Sequence, residues 1–382
     1  MNTQHTKSLV LAAAMGIASL ATAASTQYVY MSGSTAARNA FYVAITDGST
    51  VFDSAPTVVA QGSSDPAKAT YQLFHGTIGG ADTILKTHWS GSEGGIADIA
   101  GSGTEAFLDD SAGSSSSSPG PFVNSTVDLA AADNNVLYSR NPNAAITGTE
   151  VCIIPFVWVK EKGSASGLTN VTDQTIRQAL KGYAVLSQFT GNPADTTFVY
   201  VSGRDNQSGT RVNQFGECGF GIFSSPFMIQ ISGSGAMLDQ TGFGTYLGDY
   251  GYSSGGTLAT QMGYDLSQGT SVDVANGTGV EKFSVVAYLG ISDANTAVAN
   301  GATTLTCNGV AYSVAAIEQG QFNCWGNEYA YRRNNTTSQA SAVFNKLVAP
   351  TGVSGHADGT LTIKLSAMHA TRNGPTSDPV HN

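Results

Sequence analysis

The segment TFVYVSGRDNQSGT, residues 197–210, carries the strongest structural and chemical signal in the chain. Its apolar beginning, residues 197–201, predicts a β-strand, and Ser208-Gly209-Thr210 is typical of a turn that opens a helix. Arg204 then lies beside helix N-terminal N–H groups that have no partner within the helix. A guanidinium, two hydroxyl donors and the helix dipole favour negative charge, and the segment supplies no nucleophile with a base. We therefore predict oxyanion binding first and catalysis second.

Two similar strand–turn–helix segments come earlier in the chain. Residues 27–31 alternate as a strand and lead through Gly33-Ser34-Thr35-Ala36 into a helical pattern. Residues 83–90 also predict a strand, which GSEGGI at 91–96 turns into a helix. Glycine lets a backbone approach a ligand closely, but ordinary strand–helix loops and helix caps use the same residue types. Each turn taken alone is open to both interpretations.

Two continuous apolar segments, residues 151–159 and 283–291, indicate how the chain is divided. Pro155 in the first fits a connector between domains better than a central strand. A mature chain of about 360 residues exceeds what one core normally holds. The last predicted strand is at residues 361–365. We predict domain I from residues 24–155 and 288–382, and domain II from residues 156–287.

The first 23 residues have the pattern of a secretory signal peptide, with Lys7, an apolar run and then Ala21-Thr22-Ala23. The apolar run is too short to span a bilayer comfortably, and no cysteine follows the cleavage site to take a lipid. We therefore predict export to the periplasm without lipidation, and segment 1–23 is excluded from the fold.

The acidic composition argues against some partners. Lys and Arg total 17 against 27 Asp and Glu, which gives a net charge of −10, and loss of Lys7 with the signal makes the mature chain more acidic. Such a chain is a poor candidate for nucleic acid or anionic membranes. A buried anion site remains compatible with this charge, because exposed charges more than roughly 8 Å away are screened.

The cysteines and histidines indicate structure rather than a metal centre. In an exported protein the four cysteines permit two disulfides in three pairings. Cys307 and Cys324 are the favoured pair, because they are close in sequence and flank a predicted helix, whereas Cys152 fits a small core residue. The histidines show no ligand spacing, so we predict no metal and no cofactor.

In sequence order, these segments resemble the phosphate-binding proteins of bacterial phosphate ABC importers, which have the type II periplasmic binding-protein fold. The family's first loop, a Gly-Ser-Ser-Thr-like turn, is similar to residues 33–36, and its Gly-Ser-x-Gly-Gly-Val/Ile turn to residues 91–96. Its Asp-Phe-Gly-x-Ser-Asp strand end is similar to residues 128–133, and its Arg-x-Asp-x-Ser-Gly-Thr signature to residues 204–210. The resemblance implies an α/β fold with two domains, mixed sheets flanked by helices and a ligand cleft between the lobes.

The resemblance also implies a function and a site. Its ligand-binding positions fall on Thr35, Ala36, Ser92, Asp133, Arg204, Ser208, Gly209 and Thr210. The ligand is expected to be inorganic phosphate, whose remaining proton Asp133 accepts, so that sulfate is rejected. The protein is expected to be a monomer without catalytic residues that delivers phosphate to an ABC importer permease.

Three departures from the family pattern leave the ligand open. Asn206 replaces an Asp that braces the Arg, so Asp205 or another carboxylate is needed there; Ala36 replaces a larger residue, and Ala132 removes a hydroxyl beside Asp133. The alternatives are a binder of another oxyanion and a phosphate-scavenging or attachment protein without a transporter. A serine-type or phosphate-ester hydrolase using Ser92 or Ser234 is the weakest, because no motif supplies a His or Lys base.

Overall fold

The computed structural model describes residues 25–101, 103–113, 116–182, 184–231, 251–265, 283–372, 374, 376 and 380–381. The predicted signal peptide and Ser234 lie outside the described residues. None of the helices in these ranges is long and apolar enough to cross a membrane.

The elements are numbered in chain order. The strands are β1 Gln27–Gly33, β2 Thr57–Gln61, β3 Tyr71–Ile78, β4 Ala81–His88, β5 Thr104–Leu108, β6 Phe122–Thr126, β7 Leu129–Ala132, β8 Ile146–Lys160, β9 Asn170–Val171, β10 Ala184–Val185, β11 Phe198–Ser202, β12 Phe283–Gly290, β13 Thr303–Thr304, β14 Thr306–Cys307, β15 Trp325–Arg333, β16 Ala370–Thr371 and β17 Val380–His381. The α-helices are α1 Arg38–Thr46, α2 Ser92–Ala100, α3 Asp173–Ala179, α4 Ser187–Thr190, α5 Gly209–Glu217, α6 Gly255–Gln261, α7 Ile291–Ala299, α8 Val314–Glu318 and α9 Ser338–Val348. Short 3₁₀ turns lie at Pro66–Lys68, Val136–Tyr138, Ser354–His356 and Leu365–Ala367.

Most strands belong to one mixed sheet in the order β10-β11-β12-β8-β15-β7-β1-β4-β3-β2, with β13 paired to β8. We call strands β1, β2, β3, β4 and β7 with α1 and α2 the β1 half, and strands β10, β11 and β12 with α5 and α6 the β11 half. Helices α2 and α9 pack against β1, and α5 and α7 pack against β12. This architecture confirms the expected α/β fold with a mixed sheet and flanking helices.

The long strand β8 joins the two halves. Its residues up to Pro155 pair with β15, and from Phe156 onward they pair with β12. The expectation that Pro155 disfavours a central strand is wrong, because β8 lies between β12 and β15 in the sheet. Proline is tolerated here because its missing N–H falls at the residue where the strand changes partner.

The chain after β12 remains close to the β11 half. Helix α7 packs against α6, and β13 pairs with β8 at Val159 and Lys160. The division into domains I and II at residues 155/156 and 287/288 stays a prediction.

The predicted strands and helices around the three turns are confirmed as β1–α1, β4–α2 and β11–α5. The predicted strand at 361–365 is wrong, since only Ile363 forms an isolated bridge, to Ile153. The Asp358 carboxylate accepts the backbone N–H groups of residues 360–362, which consumes the donors that a strand ladder would need.

Buried apolar side chains surround both faces of the central strands, and Cys152 is fully buried among them, as expected for a core residue. Cys307 and Cys324 are buried free thiols whose Sγ atoms lie 3.3 Å apart. The structure therefore brings the favoured pair together, and the disulfide itself stays a prediction.

Candidate anion-binding site

Three strand ends meet at one edge of the sheet. Because β1 runs parallel to both β4 and β7, the carboxyl ends of these strands lie side by side, where α/β sheets commonly bind ligands. Gly33 has φ 129°, and an added Cβ would lie 2.0 Å from the carbonyl oxygen of Ala131. Gly91 has φ 113°, and its added Cβ would lie 2.6 Å from the carbonyl oxygen of Gln207. The two turns therefore need glycine to pack against β7 and against the β11 half.

Asp133 follows β7 directly and is only 2% exposed. Its Oδ1 accepts hydrogen bonds from Ser34 Oγ and, at 2.7 Å, from Ser92 Oγ. Its Oδ2 accepts one from Thr210 Oγ1 at 3.2 Å, and Ser92 Oγ accepts the Asp133 N–H at 3.1 Å. The structure thus gathers the predicted residues Ser92, Asp133 and Thr210, and it adds Ser34, which the sequence analysis did not single out.

Arg204 is equally buried and links the two halves from the opposite side. Its Nη1 donates to Thr35 Oγ1 at 3.2 Å, while Nε and Nη2 donate to the carbonyl oxygens of Tyr252 and Ser253 at 2.9 and 2.8 Å. A guanidinium has more N–H donors than these three bonds use. We call Ser34, Thr35, Ser92, Asp133, Arg204 and Thr210 the Asp133–Arg204 network.

Backbone carbonyls brace Arg204. Asp205 accepts the Gln207 N–H at 3.2 Å, and none of the side-chain hydrogen bonds of Arg204 in the described part of the chain goes to Asp205. A carboxylate from another element, Asp293 of α7, lies near Arg204. Both side chains approach Gly255, where an added Cβ would lie 2.0 Å from Asp293 Oδ2 and 3.4 Å from Arg204 Nη1. Burial raises the pKa of Asp293, whereas the neighbouring guanidinium groups of the site oppose that shift. With Asn206 in place of the family's Asp, Arg204 is therefore held by main-chain oxygens, and Asp293 lies beside it.

The other predicted residues lie around the network. Ser208 caps α5, since its Oγ accepts the Arg211 N–H at 3.3 Å. Gly209 touches the β1 half so closely that an added Cβ would lie 2.4 Å from Ser92 Oγ. Ala36 lies opposite Gly290, whose added Cβ would be 3.3 Å from the Ala36 Cβ. The ordinary capping interpretation therefore applies to Ser208, and close packing explains Gly209.

Glu328 is a further buried carboxyl beside the network, and the sequence analysis missed it. It lies in β15 immediately before a register shift and is 0% exposed. No hydrogen bond joins its carboxyl oxygens to the described residues, although Asp133 and the Ser34 hydroxyl lie close enough to change its pKa in opposite directions. Burial, and then the nearby Asp133 carboxylate, raise the pKa of Glu328 well above its ordinary value. Its side chain is therefore held neutral while Asp133 accepts hydrogen bonds.

The hydrolase alternative gains no support at Ser92. The Ser92 hydroxyl donates to the Asp133 carboxylate and accepts the Asp133 N–H, and no histidine or lysine of the described part of the chain forms a hydrogen bond with it. A serine nucleophile needs a base that takes its proton and is itself oriented by a third group.

A cavity of about 830 Å³ lies beside the network and is lined from both halves. Arg38 and Ser90 contribute from the β1 half, and Gln207 and Ser253 come from the other side together with Asp293 of α7. The sequence analysis did not select Arg38. The signal for it was a cation in the first turn of an otherwise apolar helix, where the helix dipole disfavours positive charge.

Comparison with solved structures places this architecture among known folds. A structure from Clostridium perfringens with bound phosphate, of a protein assigned as a phosphate ABC transporter substrate-binding protein, aligns with a TM-score of 0.54 and 12% identity, covering 89% of this chain and 100% of its own. An ABC-type phosphate transport receptor from Vibrio cholerae aligns with a TM-score of 0.51 and 11% identity, covering 88% and 100%. The chain has the two-domain periplasmic binding-protein fold.

This finding confirms the family resemblance at the level of the fold. No protein-family model and no curated protein sequence matches the chain. At identities of 11–12% the binding-protein fold is what the chain shares with these structures. The ligand must be argued from the residues of the site itself.

Proposed function

We propose that this chain is an exported solute-binding protein that captures inorganic phosphate in the cleft between its two lobes for uptake by an ABC importer. It acts by binding and has no catalytic residues. The phosphate lies in the Asp133–Arg204 network, near the backbone N–H groups of Ala36 and Gly209 and the hydroxyl of Ser208. The lobes are domain I, residues 24–155 and 288–382, and domain II, residues 156–287.

The observation that carries this proposal is the set of hydrogen bonds that cross between the halves. Thr210 donates to Asp133, and Arg204 donates to Thr35, so each half supplies polar groups to the other. A tetrahedral oxyanion offers acceptors to the same hydroxyl and guanidinium donors. Its binding then replaces direct contacts between the halves with contacts through the ligand, which favours a closed arrangement.

Export and delivery follow from sequence features outside the site. The signal-like segment 1–23 directs the chain to the periplasm, where a monomer without a lipid anchor meets its permease. The comparison proteins named for phosphate transport support this role by their shared fold.

Asp133 gives the sharpest test of the ligand. Phosphate keeps a proton near neutral pH that sulfate lacks, and the carboxylate accepts it, whereas sulfate meets a like charge. Asp133→Asn removes that repulsion, so we expect sulfate to gain on phosphate by at least about tenfold in the ratio of the two dissociation constants. Isothermal titration calorimetry with both anions at one salt concentration measures this ratio.

Asp47→Asn is the matched control for this test, because Asp47 is exposed at the end of α1 and carries the same charge. It should leave the ratio unchanged. A parent protein that binds neither anion would reject the proposed function, and an unchanged ratio in Asp133→Asn would reject the proton-acceptor role.

A further inference from the structure

Arg38 is a buried cation without a partner. It is 7% exposed, lies in the first turn of α1 and lines the cavity beside the Asp133–Arg204 network. No hydrogen bond or ion pair joins its guanidinium to any of the described residues. Arg204, by contrast, uses its side chain in three hydrogen bonds. A guanidinium kept out of water without such bonds destabilises the folded protein unless something else compensates its charge.

The charges around Arg38 compensate it only in part. Burial lowers the pKa of Arg38, the negative charges of Asp293 and Asp65 oppose this shift, and the positive charge of Arg204 adds to it. Asp293 is therefore shared between two guanidinium groups, and the exposed Lys68 brings a further positive charge to the cavity wall. The position of Arg38 at a helix N-terminus adds to the electrostatic cost. An anionic group held next to the Arg38 guanidinium would compensate its charge.

Other residues of the cavity wall also carry unpaired polar atoms. Ser90 Oγ and Gln261 Oε1 are buried without a hydrogen-bond partner in the described part of the chain, and both residues line the cavity. Hydroxyl groups of Thr70, Ser254 and Thr257 line it as well. Its volume of about 830 Å³ falls in the range of roughly 300–1,000 Å³ that is usual for sites of small organic ligands. The cavity is thus polar and larger than one phosphate ion needs.

We propose that Arg38 binds a second anionic group of the ligand, so that the cleft takes a small organic phosphate carrying two anionic groups. The proposal rests on the proposed function, because the phosphate group occupies the Asp133–Arg204 network and inorganic phosphate fills that end alone. Arg38 begins α1 directly after the turn that carries Thr35, and the cavity that it lines also contains Asp293, which lies beside Arg204. The hydroxyl groups of the cavity wall contact the polar body of the molecule between them.

Three probes separate the two ends of the site by calorimetry. Inorganic phosphate tests the network alone, glycerol 1-phosphate adds an uncharged polar body, and 3-phosphoglycerate adds a carboxylate. We expect the parent protein to bind 3-phosphoglycerate at least about tenfold more tightly than glycerol 1-phosphate. Arg38→Gln should abolish this difference and leave the affinities for inorganic phosphate and glycerol 1-phosphate within about twofold of the parent. The exposed Lys162→Gln, with the same change in charge, should alter none of the three.

The outcomes are distinguishable. Equal binding of glycerol 1-phosphate and 3-phosphoglycerate by the parent, or an equal loss for all three probes in Arg38→Gln, would overturn the second anion site. Failure of the parent to bind any probe would instead reject the proposed function. Without ligand, Arg38→Gln should melt no lower than the parent, because it removes a buried charge that its surroundings compensate only in part. A variant that melts well below the parent, or does not fold, would show that Arg38 is structural and would overturn the proposal.

Discussion

Glu328 shows how a single buried residue sets the charge of the site. Asp133 accepts three hydroxyl groups and lies in a network with Arg204, so a negative charge on Asp133 is well supported. Glu328 is fully buried close to Asp133, and the Ser34 hydroxyl that donates to Asp133 lies near it as well. Two neighbouring buried carboxylates cannot both ionise at low cost, and burial together with the Asp133 charge favours the neutral form of Glu328. The network therefore keeps one charged acceptor.

This arrangement predicts a pH dependence of stability. The ordinary pKa of a glutamate is 4.5, and that of folded Glu328 lies well above it, so folding takes up a proton at pH values between the two. Stability is then lost as the pH rises from the unfolded toward the folded pKa, by up to about 1.4 kcal/mol per pH unit. Glu328→Gln imitates the neutral carboxyl, so the difference in unfolding free energy between this variant and the parent should increase in favour of the variant as the pH rises above 4.5.

Urea unfolding of parent and Glu328→Gln at several pH values measures the difference. A difference that stays constant across this range would mean that Glu328 is charged in the folded protein. It would also leave Asp133 with a charged neighbour and weaken its assignment as the acceptor of the phosphate proton.

At the scale of elements, the site depends on how tightly the turn after β4 fits against the β11 half. The Glu93 N–H donates to the Gln207 carbonyl at 2.8 Å, and Gly91 leaves no room for a side chain beside that carbonyl. Gly209 makes the matching close approach from α5 toward Ser92. The two helix N-termini can therefore face each other only while these positions lack side chains.

Gly91→Ala should separate these elements. Its φ of 113° is unfavourable for alanine, and its Cβ would collide with the Gln207 carbonyl. We expect a loss of at least about 2 kcal/mol in unfolding free energy and phosphate binding weakened by about tenfold or more. Gly182→Ala is the matched control, because an added Cβ there meets nothing within 4 Å. Equal affinity of Gly91→Ala and the parent for phosphate would show that the turn does not shape the site.

The sequence predicted elements with local patterns and missed those that depend on distant partners. The three strand–turn–helix segments were predictable because apolar periodicity, glycine and helix caps lie within a few residues of one another. Strand β15 has no apolar run, since its buried positions include Glu328 and Gly326, and it is a strand because β7 and β8 pair with it on both sides. The role proposed for Arg38 could not be predicted from the sequence, because it depends on a cavity wall that the opposite half supplies.

At the scale of the whole molecule, the site is also a junction between the halves. Besides the bonds through Asp133 and Arg204, Asn213 of α5 donates to the carbonyl oxygens of Asp133 and Gly209 at 2.9 and 3.0 Å. Strand β8 pairs with β15 along its first part and with β12 along its second part. The halves are therefore connected by main-chain pairing as well as by polar contacts. A ligand held by both sides should therefore stabilise the entire fold rather than one half.

Arg204→Ala tests this coupling between binding and stability. Phosphate at one hundred times its dissociation constant should raise the unfolding free energy of the parent by about 2.7 kcal/mol. Loss of the guanidinium should weaken binding by at least about 2 kcal/mol, so the same phosphate concentration should add less than about 1 kcal/mol to the variant. Urea unfolding of each protein with and without phosphate gives two unfolding free energies, and their difference is the stabilisation by phosphate. This difference does not contain the loss of stability that the substitution itself causes.

Arg177→Ala is the control that separates binding from folding in this experiment. Arg177 donates to the Cys218 carbonyl at 2.8 Å away from the network, so its removal should lower the stability of the ligand-free protein. Because none of its contacts belongs to the network, the phosphate increment should stay near that of the parent. An Arg204→Ala variant that keeps the full increment would place the bound phosphate elsewhere, since a ligand held by Arg204 cannot stabilise both proteins equally.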